Sequence, residues 1–329
     1  MADAVLAAAT PVGVALEASQ CIKHGTLRQQ TFGPKMAMLS AGISSDGSRL
    51  CTASADKTAR VFSLNEGGRE LQRMKHEDWI RSVSFSNGGD LLCTGCDDAY
   101  ARIFSLITGE EVKKFQSSSW IYSTSFSSND ALFCTGSRDS TARVYRLENQ
   151  EETDEEASDE VMKLKLQDPV LAARFNPDSS QLCTGLGAPR FGGVASIHDL
   201  ESGEQIHCFE RDDAMTSVSF SSNGKWLATS SKDKTACVYD LIAKAGRRQE
   251  VITCNHVNWV LSAGLDQQGK LLCTACADGV ARVFDIRANK ELMHLKHGAP
   301  VLSASFNSDS TQLLTVCQDG GVRLCHVSR

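Results

Sequence analysis

No stretch of this 329-residue chain approaches the run of about eighteen apolar residues that a bilayer-spanning helix requires, so nothing in it reads as a membrane span. The opening residues, MADAVLAAATPVGVAL, hold no basic side chain ahead of their apolar stretch. That argues against a secretory signal, and arginine and serine are too sparse there for an ordinary transit peptide. Common catalytic signatures are missing too. There is no GxSxG elbow, no GxxxxGK followed by Ser or Thr, no GxGxxG opening a helix and no HExxH. No enzyme, cofactor or metal is therefore expected. An excess of positive charge is also lacking. The net charge is −6, and residues 148–160, ENQEETDEEASDE, hold eight acidic side chains and no base, so that without them the chain would stand at +2. A general nucleic-acid binder would be basic along one face, which disfavours direct nucleic-acid binding.

What is present is a repeat. LCTASADKTARVF, from Leu50 to Phe62, returns in varied form from Leu92, Phe133, Leu182, Leu227, Leu272 and Leu313. Its threonines, Thr52, Thr94, Thr135, Thr184, Thr229, Thr274 and Thr315, stand 42, 41, 49, 45, 45 and 41 residues apart. A period in the forties, built of short β runs and turns, is the mark of a four-stranded propeller blade. Asn/Asp/Gly/Ser clusters such as SSDGS, SNGGD and SSNGK follow an apolar run in each unit and suit tight hairpins. The chain is thus expected to be an all-β, seven-bladed propeller of four-stranded antiparallel blades. The alternation in IRSVSF at Ile80 recurs in every unit, placing small residues on one face and ending in a bulky one. Phe85, Phe126, Phe175, Phe220 and Phe306 are expected in the core.

The last unit lacks a fourth strand, and an open ring would leave a long unpaired edge. Residues 15–24, ALEASQCIKH, resemble RELQRMKH of the first unit and are expected to close the ring. This gives a loose tail over 1–12 and one propeller domain over 13–329. Within it, the run 148–160 of unit 3 is expected to be disordered by self-repulsion. Unit 4 has an enlarged turn with Pro189, Arg190 and Phe191 at its tip.

Thirteen cysteines are spread over the units, five of them, Cys51, Cys93, Cys134, Cys183 and Cys273, at one repeat position just before the threonine. Equivalent positions on separate blades are too far apart to bridge, so these read as small buried apolar groups in a reducing compartment. Cys93/Cys96 and Cys273/Cys276 have CxxC spacing but no second ligand pair, and three residues apart on a strand two thiols face opposite ways.

The pattern from the second strand through the third, with its Thr, its turn Asp and its apolar end, resembles the WD40-repeat family. Members of that family form propellers, most often of seven blades, and usually act as non-catalytic platforms for protein complexes. The resemblance implies a buried network joining the Thr, the turn Asp, a His before the first strand and a Trp on the third. Here the Asp is present as Asp56, Asp98, Asp139, Asp233, Asp278 and Asp319, and the His as His76, His256 and His297, with His24 a fourth candidate. The Trp is absent throughout, replaced by Phe62, Phe104, Tyr145, His198, Tyr239, Phe284 and Cys325. Phe cannot offer an indole N–H, so the blades are expected to rely on packing more than on a polar relay. The turn Asp is expected to keep its bonds to local amides.

Three of the four tryptophans, Trp79, Trp120 and Trp259, stand immediately before a first strand, with Arg81 and Tyr122 two residues after the first two. In a propeller, the turns before first strands and those between second and third strands gather at one end of the ring. Trp, Tyr and Arg dominate interface energies. The expected function is therefore a non-enzymatic protein-interaction scaffold that binds partner peptides or domains at that end, with Trp79, Arg81, Trp120, Tyr122 and Trp259 as contacts and Arg190 and Phe191 as a secondary one. The plainer reading is that the aromatics only pack the turn. Alternatives are a permanent subunit of a large assembly, and a chromatin or histone-peptide reader with Trp79 and Trp120 in a cation pocket. The acidic run could attract a basic partner, and Thr153 within it resembles an acidic-directed kinase site. The expected location is cytoplasmic, with the nucleus open.

Overall fold

In a computed structural model, residues 18–23 (backbone only), 38–147, 159–187, 192–243, 250–307, 309–319 and 321–327 are described. They form twenty-eight strands in seven four-stranded antiparallel sheets, arranged as a closed propeller. The strands of each blade are termed a to d from the channel outward. Strands a are Met38–Ile43, Ile80–Phe85, Ile121–Phe126, Val170–Phe175, Met215–Phe220, Val260–Leu265 and Val301–Phe306, in blades 1 to 7. Ala18–Lys23 pairs antiparallel with Gly321–His326 and supplies strand d of blade 7. The ring therefore closes through the amino end, as the missing fourth strand required. The expected tail over 1–12, Thr153, Arg190, Phe191 and His24 lie outside the described residues, as does the acidic run except for Asp159 and Glu160.

Both faces of each sheet are covered by neighbours, which is why the strands are apolar on both sides. The five repeat-position cysteines are fully buried, and the twelve described cysteines are all free. Burial pushes the Cys134 and Cys273 thiols up to about 12, so they act as small apolar groups. Cys93 and Cys96 part company as the strand geometry requires: the first meets Ser84 Oγ (3.0 Å), the second donates to the Asp78 carbonyl (3.2 Å). Of the five phenylalanines expected in the core, Phe126 and Phe175 are buried. Phe85, Phe220 and Phe306 are only partly so, because strand a ends where the channel opens.

Every strand a carries a bulge at its second residue. Ile80 pairs with Cys96 and Ser82 with Gly95, so Arg81 is left over, and the same shift recurs in all seven blades. A bulge re-aims the extra side chain. Here the extra residues, among them Leu39, Arg81, Tyr122 and Leu171, line the central channel. Six strands d, Arg69–Lys75, Glu111–Gln116, Glu160–Lys165, Gln205–Arg211, Glu250–Asn255 and Lys290–Lys296, carry a second bulge at the outer edge of their sheets. Its extra residues are Leu71, Val112, Val161, Ile206, Val251 and Leu292, all exposed on the outer rim.

The turn aspartates behave as expected toward their own turns: Asp56, Asp98, Asp139, Asp233, Asp278 and Asp319 each accept the amide two residues on, at 2.8–3.0 Å. The expectation that packing displaces the polar relay is corrected. Strands c of blades 1, 2, 3 and 6, Thr58–Ser63, Tyr100–Ser105, Thr141–Arg146 and Val280–Asp285, carry Arg60, Arg102, Arg143 and Arg282, four residues after the Asp, and these pair with Asp56, Asp98, Asp139 and Asp278 at 2.8, 2.7, 3.1 and 2.7 Å. A guanidinium thus stands in the relay where the resemblance implied an indole. The histidines join it: His76 Nε2 meets Thr94 Oγ1 at 2.8 Å and His256 Nε2 meets Thr274 Oγ1 at 2.9 Å. His297 departs, its Nδ1 meeting Cys317 Sγ at 2.9 Å. Burial works to raise the Asp98 pKa, but the Arg102 guanidinium and the Tyr100 amide outweigh it and hold the carboxyl below its ordinary range.

Asp98 and Arg102 are both enclosed. Removing one strands the other, so Asp98→Ala should cost about 3–5 kcal/mol in urea unfolding. Asp319→Ala, at an exposed turn with no ion pair among the described residues, should cost about 1 kcal/mol or less. Equal losses at the two sites would show that the Asp–Arg pair adds nothing.

His76 gives a pH dependence. Burial lowers its pKa from 6.5 to about 4, with Arg102 pushing the same way and Asp98 opposing. The folded value lies below the unfolded one, so the stabilisation is complete above the unfolded pKa and is lost as pH falls through the folded one. Unfolding free energy should therefore decline between pH 6.5 and 4, and His76→Gln should flatten that decline by about 3 kcal/mol. Parallel pH curves for the two proteins would contradict this.

Candidate protein-binding face

The upper end of the ring is a band of turns tied to each other. The d–a turn before blade 2 donates its His76 amide to the Lys57 carbonyl in the b–c turn of blade 1, and its Trp79 carbonyl accepts the Asp97 amide from the b–c turn of blade 2, both at 2.9 Å. The same two bonds recur around Trp120, where Ser117 donates to Ala99 and Arg138 to the Trp120 carbonyl, and around Trp259, with His256 donating to Lys234 and Ala277 to the Trp259 carbonyl. Each turn is thus fixed from both sides, by its own blade and by the one before. Blade 4 joins the band at the stem of its enlarged turn. A Cβ on Gly193 would lie 2.2 Å from the Asp213 carbonyl oxygen, so only glycine permits this approach to the next d–a turn.

This frame brings Trp79, Arg81, Trp120 and Tyr122 together at blades 2 and 3. The Arg81 guanidinium carbon stands 5.2, 5.5 and 5.8 Å from the ring centres of Trp79, Trp120 and Tyr122. Trp120 and Tyr122 meet edge to face, with centres 6.4 Å apart. Asp97 grips the side edge of the guanidinium, accepting from Nε at 2.8 Å and from Nη2 at 2.7 Å. That bond is the chief reason the Arg81 pKa is raised, and burial acts against it. Arg138 stacks on Trp120 at 4.2 Å. The result is a cluster whose polar head is neutralised and pinned, while Trp79 keeps 40% of its surface exposed.

Trp259 is not part of this cluster. It lies at blade 6, 47% exposed, beside Val257, which is 77% exposed, and Lys232 Nζ stands 5.0 Å from its ring centre. Arg190 and Phe191 fall outside the described residues. The reading of the sequence missed Asp97 and Arg138. Both occupy the first residue of the b–c turn, which is Ala, Asp, Arg, Gly, Lys, Ala and Gln through the seven units, so no repeat marks it.

Among the described residues no group of three or more His, Cys, Asp or Glu side chains could hold a metal ion, and no helix is long and apolar enough to cross a membrane.

The sequence is similar to that of the WD repeat-containing protein 26 homolog of Arabidopsis thaliana, 28% identical over 124 residues. That alignment covers 37% of this chain and 20% of the relative, so the chain spans only about a fifth of the relative's length. The family model described as the IFT122 first beta-propeller matches residues 37–326. With seven four-stranded blades closed into a ring and that match running over nearly all of them, the chain belongs to this family of WD-repeat propellers.

Proposed function

We propose that this propeller is a non-enzymatic protein-interaction scaffold that captures partner peptides or domains at its upper end, with the Trp79–Arg81–Trp120–Tyr122 cluster as the main anchor and Trp259 as a second. Propellers of the WD-repeat type serve generally as platforms for other proteins, and the finer reading rests on the cluster. Its carrying observation is an exposed Trp79 held in place by a guanidinium that Asp97 immobilises. A preformed aromatic surface loses little conformational entropy on binding, and Trp and Arg in such a setting are the residues that carry interface energy. The pinned Arg81 argues against a cation pocket for a histone peptide, since an incoming ammonium group would meet a resident guanidinium over the same three rings. The eight carboxylates of 148–160 suit a basic partner, and the free, buried thiols suit a reducing compartment such as the cytoplasm.

A second reading, a permanent subunit of a larger assembly, draws on the six exposed aliphatic residues at the rim bulges. Exposed apolar residues repeated on one edge are the kind of surface an obligate contact covers.

Trp79→Ala with Trp120→Ala should weaken partner capture at least about 30-fold, or ~2 kcal/mol, and leave circular dichroism and the melting curve of the free protein intact. Quantitative affinity capture from the native cell should show that loss, while Leu71→Lys with Val112→Lys and Ile206→Lys leaves capture unchanged. The reverse pattern, with capture lost in the rim variant and kept in the tryptophan variant, would replace the scaffold by the permanent subunit.

A further inference from the structure

At the fifth residue of strand a, six blades hold Gly42, Ser84, Ser125, Ser219, Gly264 and Ser305, and blade 4 holds Arg174. The position is tight: a Cβ on Gly42 or Gly264 would come within 3.3 or 3.2 Å of the buried Cys51 or Cys273 sulfur. The Arg174 side chain reaches across the channel wall to blade 3 instead. There its Nη1 donates to the Thr124 carbonyl (2.9 Å) and to Ser123 Oγ (3.2 Å), and it also reaches its neighbour's Ala173 carbonyl (3.0 Å). One nitrogen of the fork is thereby fixed. Nε and Nη2 meet no acceptor among the described residues, and neither is sealed from solvent.

This sets Arg174 apart. The enclosed arginines Arg81, Arg102, Arg143, Arg211 and Arg282 each face a carboxylate. No carboxylate is within ion-pair distance of Arg174 among the described residues. Its charge is felt by the thiols behind it: burial pushes Cys134 up to about 12, and the Arg174 field is the leading force opposing that rise. In front of it, at the lower end of the channel, lies a cavity of about 300 Å³. Six serines and Asn87 line it together with Ile43, Phe85 and Phe126.

We propose that this cavity binds an oxyanion, a carboxylate or phosphate monoester carried on a small body, through the Nε and Nη2 edge of Arg174. That is the edge with which Arg81 grips Asp97, and two near-parallel N–H donors on a planar fork match the two oxygens of such a group. The wall is largely polar, so the pair rests on the two donors of the fork more than on a low local dielectric. The space exceeds a bare ion, so the anion arrives attached to something, either a free metabolite-sized molecule or a peptide side chain. The site is at the opposite end from the tryptophan cluster and does not depend on partner capture there.

The test is a titration of the wild-type protein, labelled with nitrogen-15 at arginine, at constant ionic strength. The probes are inorganic phosphate, acetate, and an acetylated, amidated Ala-phosphoserine-Ala peptide with its unphosphorylated counterpart. One arginine Nε–Hε signal, assigned by its disappearance in Arg174→Lys, should shift saturably, with roughly millimolar affinity for the bare ions. Arg174→Lys should weaken binding ~10-fold by calorimetry, Arg174→Met should abolish it, and Arg287→Met, which removes an exposed arginine from a c–d turn, should leave it unchanged. Tighter binding of the phosphoserine peptide than of phosphate would assign the site to a peptide side chain, and the opposite order to an oxyanion carried by a free small molecule. Absence of any saturable shift at Arg174, or parallel shifts of all arginine signals as in simple screening, would overturn the proposal. The wild-type titration decides even if Arg174→Met does not fold.

Discussion

Closure is the constraint on which the rest of this structure depends. A four-stranded sheet with two apolar faces has no stable existence alone, and here each face is covered only because a neighbour stands on both sides. The residues show how tightly that works. Cys51, Cys93, Cys134, Cys183 and Cys273 are fully buried, and a methyl group on Gly42 or Gly264 would come within 3.3 or 3.2 Å of the sulfur beside it. The last blade completes its sheet by borrowing Ala18–Lys23, so the ring is tied through both of its ends. The upper surface inherits this dependence. Its turns are bonded to the blade before as well as to their own, and a gap anywhere in the ring would release the turns beside it.

The same bonds explain why Trp79, Arg81, Trp120 and Tyr122 meet. Arg81 and Tyr122 are bulge residues, and the bulge turns them toward the channel and not into a neighbouring blade. A regular strand would have sent them to one face of the sheet. The aromatics then supply the walls and Asp97 the counter-charge, so the guanidinium rests in a defined place without occupying a deep site.

Much of this was legible in the sequence, for a physical reason: a repeat states each structural decision seven times. The threonine spacing gave the blades, the small–large alternation gave strand a, and the likeness between 15–24 and the first strand d gave closure. Two parts were not legible. The bulges leave no mark on the apolar pattern, because a single inserted residue shifts the pairing without changing composition, and neither does the open end of the channel that leaves Phe85, Phe220 and Phe306 only partly buried. The Asp–Arg pair was written openly in TARVF, ARIF and TARVY, but a solvated arginine and an enclosed one look alike in a sequence. Only the distance of 2.7 Å between Arg102 and Asp98 separates them. Asp97 was hidden differently, by standing at a position where no two adjacent blades agree.

Arg81 and Arg174 together show how one side chain can give two ends of a ring different chemistry. Both leave strand a into the channel wall, and both are held by several hydrogen bonds. Arg81 spends its side edge on Asp97, and what it adds to the upper surface is rigidity under exposed aromatic rings, with little net charge. Arg174 is fixed by Nη1 to neutral oxygens, which orient it without cancelling its charge. Neutral acceptors stabilise a guanidinium by hydrogen bonding while leaving its long-range field in place, whereas a carboxylate binds it more strongly and cancels that field. On the proposed function the upper end would select by shape and apolar contact, and the lower channel by charge, although the wall between them is built from the same repeated strand.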